Sequence, residues 1–201
     1  MTKSELRKIY LEKRATMSAA EIDVTSRAIA DRFFKTVDLT NVKKLHTFIR
    51  VARTHELDTS RIYYRLWRDR ADIETYAPRI DLATGEMENV FFHAASDLIE
   101  NRWGIREPDG EQTAPPNEFD VVLVPLLAFD SFGHRVGYGK GFYDRFLAEC
   151  RPDCLKVGLC AFAAETRIDD IHEADIRLDL CLTPHETIRF EEGSRGLIEL
   201  K

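Results

Sequence analysis

The run Val121-Val122-Leu123-Val124 constrains this chain most. Four consecutive branched apolar residues leave no polar face, so a strand built from them must be covered on both sides. That is the environment of a central strand in a sheet flanked by helical layers. The pattern predicts this strand over residues 119–129. Two Ser/Thr-x-x-Glu capping boxes, Thr2 with Glu5 and Ser18 with Glu21, predict two helix starts upstream. Leu6, Ile9, Tyr10 and Lys13 follow helical spacing after the first. Ile22, Ser26, Ile29 and Phe33 form an apolar stripe after the second.

The rest of the chain alternates strand and helix signals. Strands are predicted over 43–51, over 73–77 (stopped by Pro78) and over 87–92. A helix is predicted over 57–70, starting near Asp58 or Thr59, and another over about 140–149. Residues 110–118, with Pro115 and Pro116, read as a surface loop, and 156–160 and 180–183 as short buried strands. Alternation of this kind predicts an α/β fold, a three-layer sandwich with a mainly parallel sheet.

Size and charge narrow the function classes. A length of 201 residues, 44% of them apolar, predicts a single domain over 1–201 with a sizeable core. No run reaches the roughly eighteen apolar residues of a spanning helix. The start, Met1-Thr2-Lys3-Ser4-Glu5, shows no apolar signal segment, so a cytoplasmic chain without membrane partners is expected. With 29 basic against 35 acidic residues the net charge is −6. That argues against a general nucleic-acid binder and leaves room for one local basic pocket. Cys150, Cys154, Cys160 and Cys181 form no C-x-x-C pair and read as reduced thiols, Cys160 and Cys181 as small core residues. The histidines show no metal-binding spacing, and His134 reads as a hydrogen-bonding loop residue.

The chemistry concentrates between Phe129 and Arg145. This segment leaves the carboxyl end of the predicted central strand, where open α/β sheets collect ligands. Gly137, Gly139 and Gly141 alternate, which lets backbone N–H groups approach a ligand closely. The following helix aims its positive end at the same place, and Arg135, Lys140 and Arg145 add three cations. The combination predicts a polyanion cradle. It is neither a Walker loop, because His134 and Gly141 break that spacing, nor a dinucleotide fingerprint, because Phe142 stands where a glycine is required.

Residues 135–144, Arg-Val-Gly-Tyr-Gly-Lys-Gly-Phe-Tyr-Asp, resemble the signature of the 5-formyltetrahydrofolate cyclo-ligase, or methenyltetrahydrofolate synthetase, family. Lys3-x-x-Leu6-Arg7 with Arg14 and Ser18 resembles that family's N-terminal helix. Glu56-Leu57-Asp58-Thr59, Trp103-Gly104-Ile105-x-Glu107-Pro108 and the pair Asp175 and Asp179 resemble further elements, in order, over nearly the whole chain. The resemblance implies the fold of the ribose-phosphate isomerase and glucosamine-phosphate deaminase group. It implies ATP and 5-formyltetrahydrofolate as small-molecule substrates and magnesium as the cofactor, and a monomer is expected.

The resemblance also implies roles for residues. ATP contacts map to Lys3, Ser4, Glu5, Leu6 and Arg7, and to Arg135, Val136, Gly137, Tyr138, Gly139, Lys140, Gly141, Phe142 and Tyr143. Substrate contacts map to Val51, Glu56, Tyr138 and Phe142, metal ligands to Asp144 and Asp175, and charge stabilisation in the reaction to Lys140 and Arg145. Phe129, Asp130 and Trp103 are expected to shape the cleft, and Asp179 to hold structure. The chain departs from the family in two places: Ala174-Asp175 stands where His-Asp is common, and Leu126 follows Pro125 where glycine is usual. Two alternatives stay open: a paralogous ATP-dependent kinase or ligase acting on another amide-like substrate, and a non-catalytic nucleotide- or folate-binding regulator.

Overall fold

Strands covered on both faces organise the molecule, as the apolar run demands. The computed structural model describes residues 1–81, 84–101 and 104–190, and the backbone of 198–199. The helices are α1 (Lys3–Ala15), α2 (Ala19–Thr36), α3 (Ser60–Asp69) and α4 (Phe142–Glu149). The strands are β1 (Lys44–His46), β2 (Glu74–Ile80), β3 (Met87–Phe92), β4 (Leu98–Glu100), β5 (Arg106–Pro108) and β6 (Val121–Pro125), then β7 (Ala128–Phe129), β8 (Arg135–Val136), β9 (Leu155–Leu159), β10 (Leu180–Leu182), β11 (Thr187–Arg189) and β12 (Ile198–Glu199).

The main sheet runs β12-β11-β10-β9-β6-β1-β2-β3. From β10 through β9, β6 and β1 to β2 every pairing is parallel, while β3, β11 and β12 join antiparallel at the edges. β6 lies inside the parallel run and alternates between two cores. Val121 and Leu123 pack with Ile29, Phe33, Ile62 and Leu66 of α2 and α3. Val122 and Val124 pack with Phe146 and Leu147 of α4 on the other face. Cys160 and Cys181 lie fully buried in that second core.

Both capping boxes form as predicted, and α1 and α2 start immediately after Thr2 and Ser18. The expected stripe Ile22, Ser26, Ile29 and Phe33 is the buried face of α2. α1 does not lie on the main sheet. Leu6 and Tyr10 pack instead on Leu127, Ala128, Val136 and Ile168, over the β7–β8 hairpin.

Three strand boundaries differ from the sequence expectation. The strand over 43–51 is only Lys44–His46. The Thr47 N–H makes one further bond to the Tyr76 carbonyl at 2.8 Å, and then the Thr59 hydroxyl takes the Phe48 carbonyl as the chain leaves the sheet. The strand over 119–129 ends at Pro125, and Ala128–Phe129 turns back to pair with Arg135–Val136. Pro78 lies inside β2 rather than ending it. The Glu74 and Ile80 N–H groups bond on the side away from β3, and Pro78 shares their alternation. Its missing donor therefore falls beyond the end of β1, where no ladder bond is lost. α4 begins at Phe142, two residues later than predicted, because Gly141 forms a left-handed cap at φ 68°.

Asp130 fixes the turn that leads into the glycine loop. Its side chain is fully buried and accepts the backbone N–H groups of Phe132, His134 and Ile168, each at 3.0 Å. The His134 ring lies 3.3 Å from the same carboxylate, which agrees with a hydrogen-bonding role for that residue. Asp179 likewise holds structure, accepting the Lys156 N–H at 2.6 Å. Asp130→Ala strands three backbone donors, one of them fully buried, so urea unfolding should show a loss of about 3 kcal/mol. A loss below about 1 kcal/mol would show that the turn holds without the carboxylate.

Candidate active site

A cavity of about 430 Å³ opens at the carboxyl ends of β2 and β6, where Pro78, Ile80 and Pro125 meet the glycine loop. This is the edge at which parallel α/β sheets bind ligands. Lys3 and Arg7, one helical turn apart on α1, form one wall. Arg135, Gly137–Gly141 and the first turn of α4, through Asp144, form the opposite wall, and Asp175 completes the rim.

The loop is held by side chains distant in sequence. Arg7 Nε donates to the Gly137 carbonyl at 2.9 Å. A Cβ on Gly139, whose φ is +85°, would come within 3.1 Å of the same guanidinium, so this position favours glycine on two counts. Tyr138 hangs from the loop with its hydroxyl wedged between two buried groups. It accepts from Arg14 Nη2 and donates to Glu56 Oε1, while Glu56 Oε2 accepts the Val51 N–H at 2.7 Å. Burial and the neighbouring Glu56 carboxylate push the Tyr138 phenol up to about 12 against the opposing pull of Arg14.

Two of the four cations in the cleft are paired with carboxylates. Arg135 donates to Asp144 at 2.6 Å, and Lys3 pairs with Asp175. Burial pulls Arg135 below its usual value, opposed by Asp144 and Asp175. Lys140 is exposed at the rim and makes no ion pair among the described residues. Its charge is therefore open to a ligand. The Tyr143 hydroxyl is buried without a hydrogen-bond partner among the described residues, and burial raises its phenol. Behind it His46 is fully buried against Phe119 and Phe146. Burial pulls that imidazole down to about 3, so it is neutral at pH 7.

The residues singled out in the sequence separate into three groups. Lys3, Arg7, Arg135, Gly137, Tyr138, Gly139, Lys140, Gly141, Phe142, Tyr143, Asp144 and Asp175 line one cavity. Val51 and Glu56 stand behind Tyr138, Glu56 beside a small void that also touches Arg14 and Pro125. The remainder face elsewhere: Leu6 and Val136 are core, and Ser4 and Glu5 are exposed, with Glu5 closing the capping box. Arg145 lies in an adjoining groove with Glu86, Glu88 and Glu149, its guanidinium 5.2 Å from the Phe142 ring centroid. Trp103 lies outside the described residues. Leu126 points into the core against Gly158 and does not line the main cavity.

Sequence reasoning missed the apolar wall of Pro78, Ile80 and Met87. The signal was the paired pattern of β2 and β3, hidden by treating Pro78 as a stop. It also gave Arg14 no role, although Arg14 falls on the same helical stripe as Lys3 and Arg7.

A parallel sheet with a glycine loop, a helix start and paired cations at its carboxyl edge defines the class: an α/β protein built to hold a polyanion beside an apolar surface. The sequence model of the 5-formyltetrahydrofolate cyclo-ligase family matches residues 1–184, and the chain belongs to this family. The 5-formyltetrahydrofolate cyclo-ligase of Escherichia coli (strain K12) is 34% identical over 135 residues, covering 64% of this chain and 72% of that one. A probable 5-formyltetrahydrofolate cyclo-ligase of Caenorhabditis elegans is 27% identical over 206 residues, covering 94% and 96%. The solved structure of the Aquifex aeolicus 5,10-methenyltetrahydrofolate synthetase superposes with a TM-score of 0.78 at 28% identity, covering 96% of this chain and 95% of that one.

The Lys3–Asp175 pair gives a pH-dependent test. Burial raises the Asp175 carboxyl, but the His172 N–H and the Lys3 ammonium outweigh it and hold it below its usual value. A depressed folded value stabilises above the unfolded carboxyl range, near about 4, and that contribution is lost as pH falls through the folded value. Lys3→Met should therefore be less stable than the parent at pH 7, and the gap should close on acidification below about pH 4. A gap of constant size down to pH 2.5, read from urea midpoints, would show that the pair does not set the Asp175 ionisation.

Proposed function

We propose that this chain converts 5-formyltetrahydrofolate to 5,10-methenyltetrahydrofolate at the expense of ATP, releasing ADP and phosphate. The observation that carries the reading is one cavity lined both by Lys3, Arg7, Arg135 and Lys140 and by Pro78, Ile80, Met87 and Phe142. A triphosphate needs the first set, and a flat heteroaromatic ring needs the second. Family membership supplies the reaction that joins those two ligands.

Phosphoryl transfer asks the protein for alignment and charge neutralisation more than for a covalent catalyst. In this reading Gly137–Gly141 wraps the phosphates, and the start of α4 faces them. Lys140, with no carboxylate to satisfy, neutralises the γ-phosphoryl group as it passes to the formyl oxygen on N5. N10 then attacks the activated formyl carbon, the ring closes and phosphate leaves. Tyr138 and Phe142 cover the ring system. Glu56, oriented by the Tyr138 hydroxyl, presents a carboxylate suited to the pterin's N–H donors. Arg145, placed beside Phe142, supports the loop from its outer side.

Among the described residues no group of three or more His, Cys, Asp or Glu side chains is placed to hold a metal. Asp144 and Asp175 are two hard-oxygen donors on the same cavity. That suits magnesium, which takes one or two protein carboxylates and completes its shell with water and phosphate oxygens. They would hold the ion, which would supply charge neutralisation between the phosphates. The same reading expects a cytoplasmic monomer. No helix among the described residues is long and apolar enough to cross a membrane.

The chain, mixed with 5-formyltetrahydrofolate, ATP and magnesium, should develop the near-ultraviolet absorbance of the methenyl product and release phosphate in equal amount. No absorbance change at saturating folate, with ATP still hydrolysed, would reassign the substrate. Lys140→Ala should lower turnover by about 100-fold, the scale of losing one transition-state charge stabiliser. A loss below about tenfold would remove Lys140 from the transfer step.

A further inference from the structure

Arg14 has no part in the reaction as described, yet it is 5% exposed at the carboxyl end of α1. Burying a guanidinium is costly unless other groups compensate it. No carboxylate pairs directly with Arg14 among the described residues. Its Nη2 donates to the Tyr138 hydroxyl, which donates onward to Glu56, itself 7% exposed. The phenol thus bridges a buried cation and a buried carboxylate. The guanidinium also lies 5.3 Å from the Tyr138 ring centroid, so it holds both the ring and the hydroxyl.

Two further observations separate this from an ordinary core arginine. Among the described residues Arg14 Nε is buried without an acceptor, so the side chain is not a fully satisfied structural anchor. The void beside Arg14 and Glu56 measures about 10 Å³ and is walled by Phe48, Leu57 and Leu126, room for at most one water. The charge is therefore compensated chiefly through Tyr138. Arg7 meanwhile fixes Gly137, the preceding loop residue, from the same face of α1.

We infer that Arg14 is the positioning residue of the folate half of the cleft, holding the Tyr138 hydroxyl against Glu56 and so setting the ring and the carboxylate that receive the pterin. The inference rests on the folate reading above. Arg14 touches neither substrate in it. Arg14 acts through Tyr138 on folate affinity, while Lys3, Arg7 and Lys140 serve ATP.

The test measures binding of 5-formyltetrahydrofolate and of ATP separately, by calorimetry, in the full chain. Arg14→Gln should weaken folate binding by about tenfold, the scale of one hydrogen bond to a charged group, and leave ATP binding within about twofold. In a Tyr138→Phe background, which already lacks the bridging hydroxyl, the same substitution should cost less than about threefold. A role in folding alone would weaken both ligands together, or leave the folate loss undiminished in the Tyr138→Phe chain. Either result overturns the inference. If Arg14→Gln does not fold, Arg14→Lys, which keeps the charge and loses the planar fork, carries the same comparison. A parent chain that binds folate without making the methenyl product would defeat the proposed reaction and leave Arg14 to be decided by the affinity ratio. A parent chain that binds no folate would defeat both.

Discussion

One face of α1 turns a flexible loop into a defined site. Glycines at 137, 139 and 141 give backbone freedom, and that freedom is expensive to remove. Lys3, Arg7 and Arg14 supply the restraint from a single helical stripe, reaching Asp175, the Gly137 carbonyl and the Tyr138 hydroxyl in turn. The helix can act this way because it is held independently. Its capping box is complete, Leu6 and Tyr10 are buried against the β7–β8 hairpin, and the Lys3 N–H bonds the Asp170 carboxylate at 2.5 Å. The cavity is consequently a tertiary construction from stretches far apart in the chain and cannot preform in the loop by itself.

The apolar half of the cavity follows from a different constraint. β2 continues past Pro78 because β1 has already ended, and the β2–β3 hairpin then projects Pro78, Ile80 and Met87 beyond the sheet. The proline that reads as a terminator is placed where a missing N–H is harmless, and it lines the cleft as a result. A residue chosen for backbone reasons thereby supplies a flat apolar surface.

Residues whose roles are local could be read from the chain directly. The capping boxes at Thr2 and Ser18, the two-sided burial of Val121–Val124 and the glycine–cation loop of residues 135–145 each lie within one short stretch of sequence. What escaped was set by partners far away. The early end of β1 depends on Thr59 taking the Phe48 carbonyl. The split of the predicted central strand depends on Leu127 finding the Val136 carbonyl at 2.8 Å. Arg14 received no role because its partner Tyr138 lies 124 positions away, with Glu56 reached only through it. The run from Lys3 to Arg7 shows both cases. The helical repeat places Lys3 and Arg7 on the cleft and sends Leu6 into the core, while Ser4 and Glu5 face solvent.

The net charge of −6 conceals a local inversion that matters for ligand capture. Four cations, Lys3, Arg7, Arg135 and Lys140, line the cavity against two carboxylates, Asp144 and Asp175. Those carboxylates pair with Lys3 and Arg135 and limit the self-repulsion of the site. Arg7 and Lys140 keep charges that no carboxylate pairs among the described residues, in a cleft whose low-dielectric walls focus the field on an anion. In the proposed reading a triphosphate that took over Arg135 and Lys3 would leave Asp144 and Asp175 facing the phosphates as like charges. A divalent cation would relieve that repulsion, so the carboxylates that pair with the cleft's cations would also be the ones to hold the metal of the proposed reaction. The internal salt bridges and the proposed cation dependence are two states of one charge balance.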